Sequence, residues 1–536
     1  MAKSTAPAKQ ARTHRWLWGL WSALAGIVSA AAFLAVAELI ALLIARESSP
    51  ILAVGAFVID IVPQPLKEFA IATFGEADKV VLLGSLGLAV VIAAAVAGIL
   101  QFFARPFGLV VIGIAGVLST AAIVTRTGAS PLAFVPPVIG TLVGAFVLVF
   151  LITRLRRWAE GPRTGDADTP AAPAAVQQRG LGRRSFLIAT GGVGLAAVVV
   201  GVGARLLNAT TASIDALRRE LALPEPRSTV TIPEGAELDV EGISPLITPN
   251  ADFYRVDTAL TVPSVDPTSW RLVIDGMVDQ RVELSFDDLV GMGLDEYAVT
   301  LTCVSNEVGG GLVGNAIWQG VPIRDILRMA GPQSGADMVL STSVDGYTAS
   351  TPLDALTDDT RDAIFAVAMN GEPLPLEHGF PVRMVVPGLY GYVSATKWVT
   401  ELKVTTFEAD EAYWTPRGYA AEAPIKFSSR IDTPRTGTPV AAGTVAVAGM
   451  AWAQTVGIDR VEVRIDDGDW QAATLSTPIN ADTWVQWVLE WQAEAGTHYV
   501  EVRAVNKNGD TQTEERAPIA PDGSSGWQRV LVTVSA

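Results

Sequence analysis

Long apolar runs fill the first two hundred residues of the chain, whereas the remainder mixes short apolar stretches with charged and turn-forming residues. About 20 consecutive apolar residues are needed for a helix to cross the hydrocarbon core of a bilayer. The pattern therefore predicts a lipid-embedded, all-α half that ends near Leu207 and a water-exposed half after it. The five predicted transmembrane helices cover residues 16–44, 80–103, 107–124, 131–152 and 185–207.

One further apolar stretch, at residues 51–61, is too short to span and is followed by Pro63 and Pro65. We expect an interfacial or re-entrant segment there. Glu38 carries the single carboxyl group within the predicted spans. Burying a carboxyl group in lipid costs enough free energy that a functional role for Glu38 merits a test. The alternative interpretation is that Glu38 makes a polar contact between packed helices.

The distribution of cations predicts the orientation of the helices. Loops rich in Lys and Arg stay in the cytoplasm, so the segments before the first helix and between the fourth and fifth are predicted to be cytoplasmic. Arg105 agrees with this assignment and Arg126 does not. An odd number of spans then places everything after Leu207 outside the cytoplasm. The cations are Lys3, Lys9, Arg12 and Arg15 before the first helix, and Arg154, Arg156, Arg157, Arg163, Arg179, Arg183 and Arg184 before the fifth.

Residues 159–184, between the four-helix region 1–158 and the fifth helix, have the Ala-, Pro- and Gln-rich composition of a cytoplasmic linker. The linker ends in Arg183-Arg184, directly before an apolar helix, which resembles an internal twin-arginine export signal. The other interpretation is that the two arginines hold the cytoplasmic end of an ordinary span. The six residues 182–187, GRRSFL, favour neither interpretation by themselves.

The water-exposed half is predicted to form two domains. In residues 208–430, short β-rich runs alternate with turns and a few helical stretches, such as 322–329, which indicates an α+β fold. Residues 431–536 show strict alternation, as at Val461, Val463 and Ile465, which predicts an immunoglobulin-like β-sandwich. Such a domain serves for dimerisation or packing, or as a spacer, and the sequence does not separate these roles.

The composition excludes several classes of function. A formal net charge of −16 with no cluster of cations in the C-terminal half argues against nucleic-acid binding. Of three histidines, His14, His378 and His498, none lies in a predicted span, so haem held by two intramembrane histidines is not expected. His498 stands alone, without metal-ligand spacing.

The most informative segment surrounds the single cysteine. A β-like run delivers Cys303 to a polar loop that ends in Gly309-Gly310-Gly311, where a thiolate has room to reach a bound metal. A lone cysteine on an apolar strand is more often a buried structural thiol. The residues alone leave both interpretations open.

Four blocks in a fixed order resemble the molybdenum-cofactor domain of sulfite oxidases, assimilatory nitrate reductases and periplasmic methionine sulfoxide reductases. They are residues 248–255 (TPNADFYR), the cysteine loop with 315–322 (NAIWQGVP), residues 369–398 from MNGEPLP to KW, and residues 414–419 from Trp414 to Tyr419. Each block alone is weak, but their order is specific. The family resemblance implies a sulfite oxidase-like molybdopterin-binding domain followed by a β-sandwich.

The resemblance also implies roles for individual residues. Cys303 would be the protein ligand to molybdenum, beside the two dithiolene sulfurs of molybdopterin. Arg255 and Tyr419 would join Cys303 as catalytic residues, with Tyr390 or Tyr392 as competitors for the role of Tyr419. The implied cofactor-binding residues are Asn250, Tyr254, Arg255, Cys303, His378, Arg383, Ser394, Thr396 and Lys397.

One departure from the family concerns the substrate. Sulfite oxidases have an arginine five residues after the metal cysteine, where this chain has Val308 beside Glu307. An anionic substrate would lose a cation and meet a carboxylate, so sulfite is not the expected substrate. A reductase of neutral sulfoxides or N-oxides is one alternative.

The sequence therefore predicts a multi-pass cell-membrane protein with an extracytoplasmic, molybdopterin-dependent oxidoreductase domain that transfers oxygen atoms to or from a small molecule. Because the sequence shows no haem, flavin or iron–sulfur ligand set, electrons are expected to pass to or from a quinone or cytochrome. The rival hypothesis is a non-enzymatic surface binding protein with a degenerate cofactor pocket. A homodimer is a further expectation that the sequence does not decide.

Overall fold

Long apolar helices dominate the N-terminal part of the chain. The computed structural model describes residues 7–44, 54, 62, 73, 78–124, 132–160, 173–207, 210–259 and 261–536. Among these residues, five helices are long and apolar enough to cross a membrane, in agreement with the number expected from the sequence. They are α1 (Pro7–Ile44), α2 (Asp78–Phe103), α3 (Phe107–Val124), α4 (Val135–Glu160) and α5 (Pro173–Leu207).

Two helices differ from their predicted bounds. Helix α5 begins at Pro173, inside the segment predicted as linker, because proline fits the first turn of a helix and the following Ala, Gln and Arg residues favour helix. Helix α4 begins at Val135 and continues to Glu160, beyond its apolar stretch. Residues 161–172 of the predicted linker, and all of the predicted interfacial stretch except Val54, lie outside the described residues.

The chain divides into two compact units, Met1–Thr211 and Ala212–Ala536. In the first unit, α1 packs against α2, α4 and α5. The approach of α1 to α2 is close enough to require glycine, since a Cβ on Gly26 would lie 2.0 Å from the carbonyl oxygen of Ala94. At the end of α2, the guanidinium of Arg156 donates hydrogen bonds to the carbonyls of Gln101 and Phe102, which have no partner within the helix.

The second unit begins with α6 (Thr210–Glu220), which buries Ile214 in a cluster with Phe253 and Leu376. The region that follows has the α+β character that its sequence pattern predicts, and its strands form two sheets. The first has the order β2-β1-β10-β5-β6, with β1 and β10 parallel. Its strands are β1 (Arg271–Gly276), β2 (Val282–Ser285), β5 (Met338–Ser343), β6 (Thr348–Pro352) and β10 (Val399–Thr405).

The second sheet of this region carries the cysteine. Its order is β3-β4-β7-β8, with β9 paired to β7, so β3 is an edge strand. The strands are β3 (Asp295–Thr302), β4 (Val313–Pro322), β7 (Ile364–Met369), β8 (Glu372–Pro373) and β9 (Arg383–Val385).

Short helices connect these strands. Helix α8 lies one residue from its predicted position and ends at Gly331 in the left-handed conformation, as helices commonly do. The helices are α7 (Phe286–Gly291), α8 (Ile323–Ala330), α9 (Leu353–Thr357) and α10 (Gly391–Ser394).

The C-terminal region consists of two further sheets, with the orders β11-β13-β17-β16 and β12-β19-β18-β14-β15. Val461, Val463 and Trp487 are buried between them. The first strand, β11, begins before residue 431, so the predicted domain boundary falls inside a strand. The Pro- and Thr-rich composition around residue 431 is typical of a loop and did not indicate that β11 pairs with β13. The strands are β11 (Ser428–Thr433), β12 (Val440–Ala441), β13 (Gly443–Trp452), β14 (Ile458–Ile465), β15 (Gln471–Ala472), β16 (Thr474–Leu475), β17 (Val485–Ala493), β18 (Gly496–Asn506) and β19 (Gln528–Ser535).

The α+β region and the C-terminal sheets share part of their core. Met450, Trp452 and Trp484 belong to the same buried cluster as Trp270 and Phe365. The indole nitrogen of Trp484 donates to the carbonyl of Leu246 at 2.7 Å. The two regions therefore meet through a continuous apolar contact.

Candidate functional site

Cys303 follows the last residue of the edge strand β3 and is 8% exposed. Its amide donates to the carbonyl of Leu312 at 2.9 Å, which closes the loop 303–312 at its base. Inside the loop, the side-chain oxygen of Asn306 accepts from the amide of Leu312 at 2.9 Å. Burial raises the pKa of the thiol, and hydrogen bonds from Ser305 offset part of that effect. The thiol is thus protonated at neutral pH unless a cation stabilises the thiolate, as metal coordination does.

Phenol groups surround the cysteine. Tyr254, Tyr347 and Tyr390 all lie within electrostatic range of Cys303, and burial raises the pKa of each, that of Tyr390 to about 12. The hydroxyl of Tyr347 donates to the carbonyl of Tyr392 at 2.7 Å. These phenols are therefore uncharged at any physiological pH.

Two buried hydroxyl groups near the site lack a hydrogen-bond partner within the described part of the chain. They belong to Thr302, next to Cys303, and to Ser343, at the end of β5. Buried polar groups without a partner are rare in native proteins and often mark the place of an unseen ligand or water. Thr302 is 2% exposed, so its unpaired hydroxyl lies in the interior next to the cysteine in sequence.

Arg383, the first residue of β9, carries a buried positive charge. Its guanidinium donates to the carbonyls of His378 and Ala395 and lies 5.0 Å from the ring centre of Trp318. In the described residues, no carboxylate forms an ion pair with it. Burial lowers its pKa to about 10. A desolvated guanidinium held only by carbonyls and a ring is electrostatically unsatisfied, which is suited to binding an anion.

Lys397 and Arg255 add two more cations to the same site. Both contact the buried carboxylate of Asp257, Lys397 at 2.8 Å and Arg255 at 3.0 Å. Lys397 is mostly buried, and this burial lowers its pKa to about 8 despite the attraction of Asp257. Repulsion from Arg383 and Arg255 acts in the same direction. Asp257 thus pairs with two of the three cations and, among the described residues, Arg383 pairs with no carboxylate, so the cations outnumber their carboxylate partner, which favours an anionic ligand.

A network of amides connects His378 to the first sequence block. The Nε2 nitrogen of His378 lies 3.1 Å from the carbonyl of Asn250 and must donate to it, which leaves Nδ1 as an acceptor. Burial, and then the charge of Arg383, lower the pKa of His378 to about 4. The side chain of Asn370 donates to the side-chain oxygen of Asn250 at 2.8 Å. The imidazole is therefore neutral and held in one orientation.

Ser394 and Thr396 lie in the same region, but their hydroxyls bond within the protein. That of Ser394 donates to the carbonyls of Leu389 and Tyr390, and that of Thr396 lies 2.7 Å from the hydroxyl of Ser341. Both side chains are fully buried. In this structure they fix the turn between Tyr390 and Lys397.

Tyr419 belongs to a chain of aromatic rings that leads away from Tyr392. Its ring centre lies 5.5 Å from that of Tyr392 and 5.2 Å from that of Trp414. Trp414 in turn contacts Tyr413, and Tyr413 contacts Tyr347 at 5.7 Å. Since Tyr347 lies near Cys303, the fourth sequence block reaches the cysteine through these rings.

The structure thus brings the predicted residues together and adds others that the sequence pattern did not single out. Asp257 and Asn370 hold the cations and amides in place, and Trp318 lies against Arg383. Asn370 and Trp318 lie inside the sequence blocks quoted above, so their position in those blocks could have identified them as site residues. Tyr347 is far from every block in sequence, so its position gave no such indication.

Taken together, a thiol, a surplus of buried cations and a neutral imidazole with an open acceptor converge on one site. Soft thiolate sulfur is a ligand for soft metals, and Arg and Lys together bind phosphate. Among the described residues there is no cluster of three or more His, Cys, Asp or Glu side chains that would hold a metal alone.

Comparison with known proteins agrees with this chemistry. Residues 259–414 match the family model described as the oxidoreductase molybdopterin binding domain. The chain is 32% identical to mitochondrial sulfite oxidase of Homo sapiens over 342 residues, which cover 54% of this chain and 62% of that protein. It is 30% identical to sulfite oxidase of Gallus gallus over 321 residues, 51% of this chain and 69% of that protein.

More distant similarity extends to a second enzyme. The NADH nitrate reductase of Hordeum vulgare is 28% identical over 333 residues, which cover 50% of this chain and 36% of that protein. The crystal structure of the sulfane dehydrogenase SoxCD from Paracoccus pantotrophus superposes with a TM-score of 0.48 at 21% identity, covering 60% of this chain and 90% of that one. At that score the superposition supports no inference about function. The chain spans about three-fifths of the length of the mammalian relatives.

Proposed function

Because this chain belongs to the sulfite oxidase-type family of molybdopterin-dependent oxidoreductases, we propose that its Ala212–Ala536 unit catalyses oxygen-atom-transfer redox chemistry at a molybdenum centre ligated by Cys303. The observation that carries this proposal is the position of the cysteine, at the end of an edge strand, with Tyr254 interacting electrostatically with both the cysteine and the buried, unpaired guanidinium of Arg383. Molybdopterin, when bound, supplies the dithiolene sulfurs and the metal that cycles between oxidised and reduced states. The residues of the site fit it in charge and in ligand type.

The basic and polar residues would hold the organic part of the cofactor. Arg383 and Lys397 would pair with its phosphate, since a buried dianion needs converging cations. The free acceptor on His378 would receive a hydrogen bond from the pterin ring, and Asn250 would orient that histidine. Ser394 and Thr396 would act through the turn that they fix, and the hydroxyl of Tyr254 would line the pocket.

Residues near the sulfur would act on the substrate. Arg255 is the most exposed of the three cations, with 40% of its side chain accessible, and we assign it to orienting the substrate. Tyr419 would donate a hydrogen bond to a substrate or metal-bound oxygen, and Tyr392 remains the competitor for that role. A phenol suits this task because it donates a hydrogen bond without carrying a charge.

The substrate is proposed not to be sulfite. Glu307 is exposed and Val308 half-buried in the loop that follows the cysteine, and the loop itself contains this carboxylate and no Lys or Arg. This composition favours a neutral sulfoxide or N-oxide, which makes the protein a reductase. Introducing the missing charge tests the idea: Val308→Arg is expected to raise kcat/KM for sulfite by at least about tenfold, the effect of one ~1.4 kcal/mol interaction, with Val308→Met as the size-matched control. An unchanged sulfite rate in the arginine variant would contradict this account.

The five apolar helices support membrane anchoring, and the cation distribution supports an extracytoplasmic catalytic unit. The inference that Arg183 and Arg184 act in twin-arginine export also belongs to this proposal; both side chains are exposed. Electrons would pass to or from a quinone or a cytochrome. The C-terminal sheets have the number and order of strands compatible with an immunoglobulin-like domain, and a homodimer through them is a further proposal.

A non-enzymatic binding protein is the rival hypothesis. It leaves the buried charge of Arg383 without purpose, since a binding module has no need of an unpaired guanidinium in its interior. This observation places the rival second.

Metal analysis decides between the two. The protein would be purified from a host that makes molybdopterin, wild type beside Cys303→Ser, with molybdenum measured by mass spectrometry and the released pterin by fluorescence. We expect near-stoichiometric molybdenum and pterin in the wild type, and loss of turnover with altered metal coordination in the variant even where pterin is retained. Well-folded wild-type protein lacking both would support the binding protein instead.

A further inference from the structure

The strand that delivers Cys303 pairs with β4 on one side and is held on its other side from outside its own sheet. Because β3 is an edge strand, one row of its backbone groups has no partner within the sheet. Far from the cysteine, the carbonyl of Ser228 accepts from the amide of Glu296, and near the cysteine the C-terminal region supplies the partners. The amide of Thr300 donates to the carbonyl of Asp482 at 3.0 Å, and the side-chain amide of Gln454 donates to the carbonyl of Thr300. The side chain of Asn480 donates to the carbonyl of Ala298 at 2.9 Å.

The loop after the cysteine is held by the same region. The guanidinium of Arg430 donates to the carbonyl of Gly310 at 3.0 Å, and the hydroxyl of Ser524 donates to the carbonyl of Asn306 at 2.7 Å. Gln528 packs against Gly309 so closely that a Cβ there would lie 2.6 Å from its side chain. Three residues of the C-terminal region thus contact the loop at three successive places.

Arg430 is itself rigidly fixed. It pairs with Asp432 at 2.6 Å, both side chains being more than nine-tenths buried, and donates to the hydroxyl of Ser244 at 2.9 Å. A buried ion pair of this kind contributes more to a unique geometry than to net stability. The guanidinium therefore reaches Gly310 from a fixed position.

We propose that the C-terminal β-sheet region is a positioning device for the cysteine ligand, with Arg430 and Ser524 as positioning residues that set the conformation of the loop 303–312. The region acts on the site through the backbone of the loop, at the carbonyls of Asn306 and Gly310. This inference rests on the proposed role of Cys303 as a metal ligand, whereas its first test requires no metal.

The single cysteine of the chain makes that test specific, because any thiol modification reports on Cys303 alone. Full-length protein from a host unable to make molybdopterin would be labelled with iodoacetamide over a range of urea concentrations. Opening of the loop alone gives a labelling rate that does not depend on urea, whereas global unfolding gives a steep dependence. The urea-independent rate therefore measures how firmly the loop is held.

We expect the urea-independent rate to rise by about tenfold or more in Arg430→Met, which loses a charge-assisted hydrogen bond, and by severalfold in Ser524→Ala. Arg464→Met is the matched control: this arginine lies on β14 in the same region, is ion-paired with Glu501 and does not contact the loop. It should label at the wild-type rate. Should Arg430→Met not fold, Ser524→Ala decides alone. Wild-type urea-independent labelling in the folded variants would overturn the proposal.

A second measurement uses the loaded protein. The electron paramagnetic resonance spectrum of Mo(V) depends on the geometry of the ligand sulfur, so Arg430→Met should shift its g-values while Arg464→Met leaves them unchanged. Identical spectra from the wild type, Arg430→Met and Arg464→Met would show that the contact between Arg430 and the loop does not affect the geometry of the metal's ligands. If wild-type protein binds no molybdenum, the proposed function fails, and the labelling result still stands on its own.

Discussion

Replacing Arg383 by methionine should have opposite effects on the cofactor-free and the loaded protein. Its pKa of about 10 corresponds to a cost of roughly 3 kcal/mol for keeping the guanidinium charged in the cofactor-free interior, at ~1.4 kcal/mol per pKa unit. Methionine removes that cost and keeps most of the side-chain volume. The hydrogen bonds to the carbonyls of His378, Met384 and Ala395 are lost, but they are long, at 3.2, 3.3 and 3.5 Å, so together they are expected to cost only about 1 to 2 kcal/mol. The net change is a stabilisation of roughly 1 to 2 kcal/mol, or a rise in Tm of roughly 2–5 °C.

In the loaded protein the same substitution removes a charged partner of the cofactor. Its affinity should fall about tenfold to a hundredfold, the effect of one charge-assisted hydrogen bond. Thermal unfolding of the water-exposed unit, with and without cofactor, together with pterin content after gel filtration, measures both effects. Arg430→Met is the control, because it removes an equally buried arginine that does have a carboxylate partner, and it should destabilise both forms by about 3–5 kcal/mol. If Arg383→Met destabilised the cofactor-free protein to the same extent, the guanidinium would not be electrostatically unsatisfied.

Other perturbations test the titrating groups and the loop. Because the pKa of His378 is lowered to about 4, the unfolded chain binds one more proton than the folded chain between pH 4 and 6.5, and the free energy of unfolding should fall by up to roughly 3 kcal/mol as the pH drops through that range. Urea melts isolate this contribution as the difference in unfolding free energy between the wild type and His378→Gln. A difference that does not change with pH would refute it. Because the pKa of Lys397 is lowered to about 8, the cofactor-free protein should gain stability from this group as the pH rises from about 8 to 10. Cofactor affinity should fall over the same range, since Lys397 loses its charge. Lys397→Met should abolish both trends, the first in melts and the second in pterin-binding titrations. Gly309→Ala should lower the free energy of unfolding by about 1–3 kcal/mol, because this glycine has a φ of 81° and lies against Gln528. Gly311→Ala should change it little, because the space around Gly311 is open. Equal chemical-denaturation midpoints for the two variants would contradict the close contact at Gly309.

Much of the architecture was predictable because it depends on local properties of the chain. The length of an apolar run decides whether a helix can span a bilayer, and all five such helices lie where the runs lie. Alternation in β14 predicted which side chains face the core: Val461 and Val463 are buried. The order of the four blocks was enough to bring Cys303, His378, Arg383 and Lys397 into one hypothesis.

The bounds of elements were less predictable, since they depend on competition between local preferences. Pro173 was interpreted as part of a linker, but the residues after it favour helix strongly enough to extend α5. Ser428–Thr433 carries the polar residues of a loop, yet pairing with β13 makes it a strand.

The sequence by itself determined the apolar helices, the α+β and all-β character of the exposed half, and the hypothesis that residues of the four blocks form one site. Only the tertiary structure decided how those residues are charged and held. Lys397 meets the carboxylate of Asp257, 140 positions away, whereas Arg383 meets only carbonyls. Likewise, Arg430 reaches the cysteine loop across 120 positions. Burial and long-range pairing set the electrostatic energy of a charge, and neither is encoded in its neighbours along the chain.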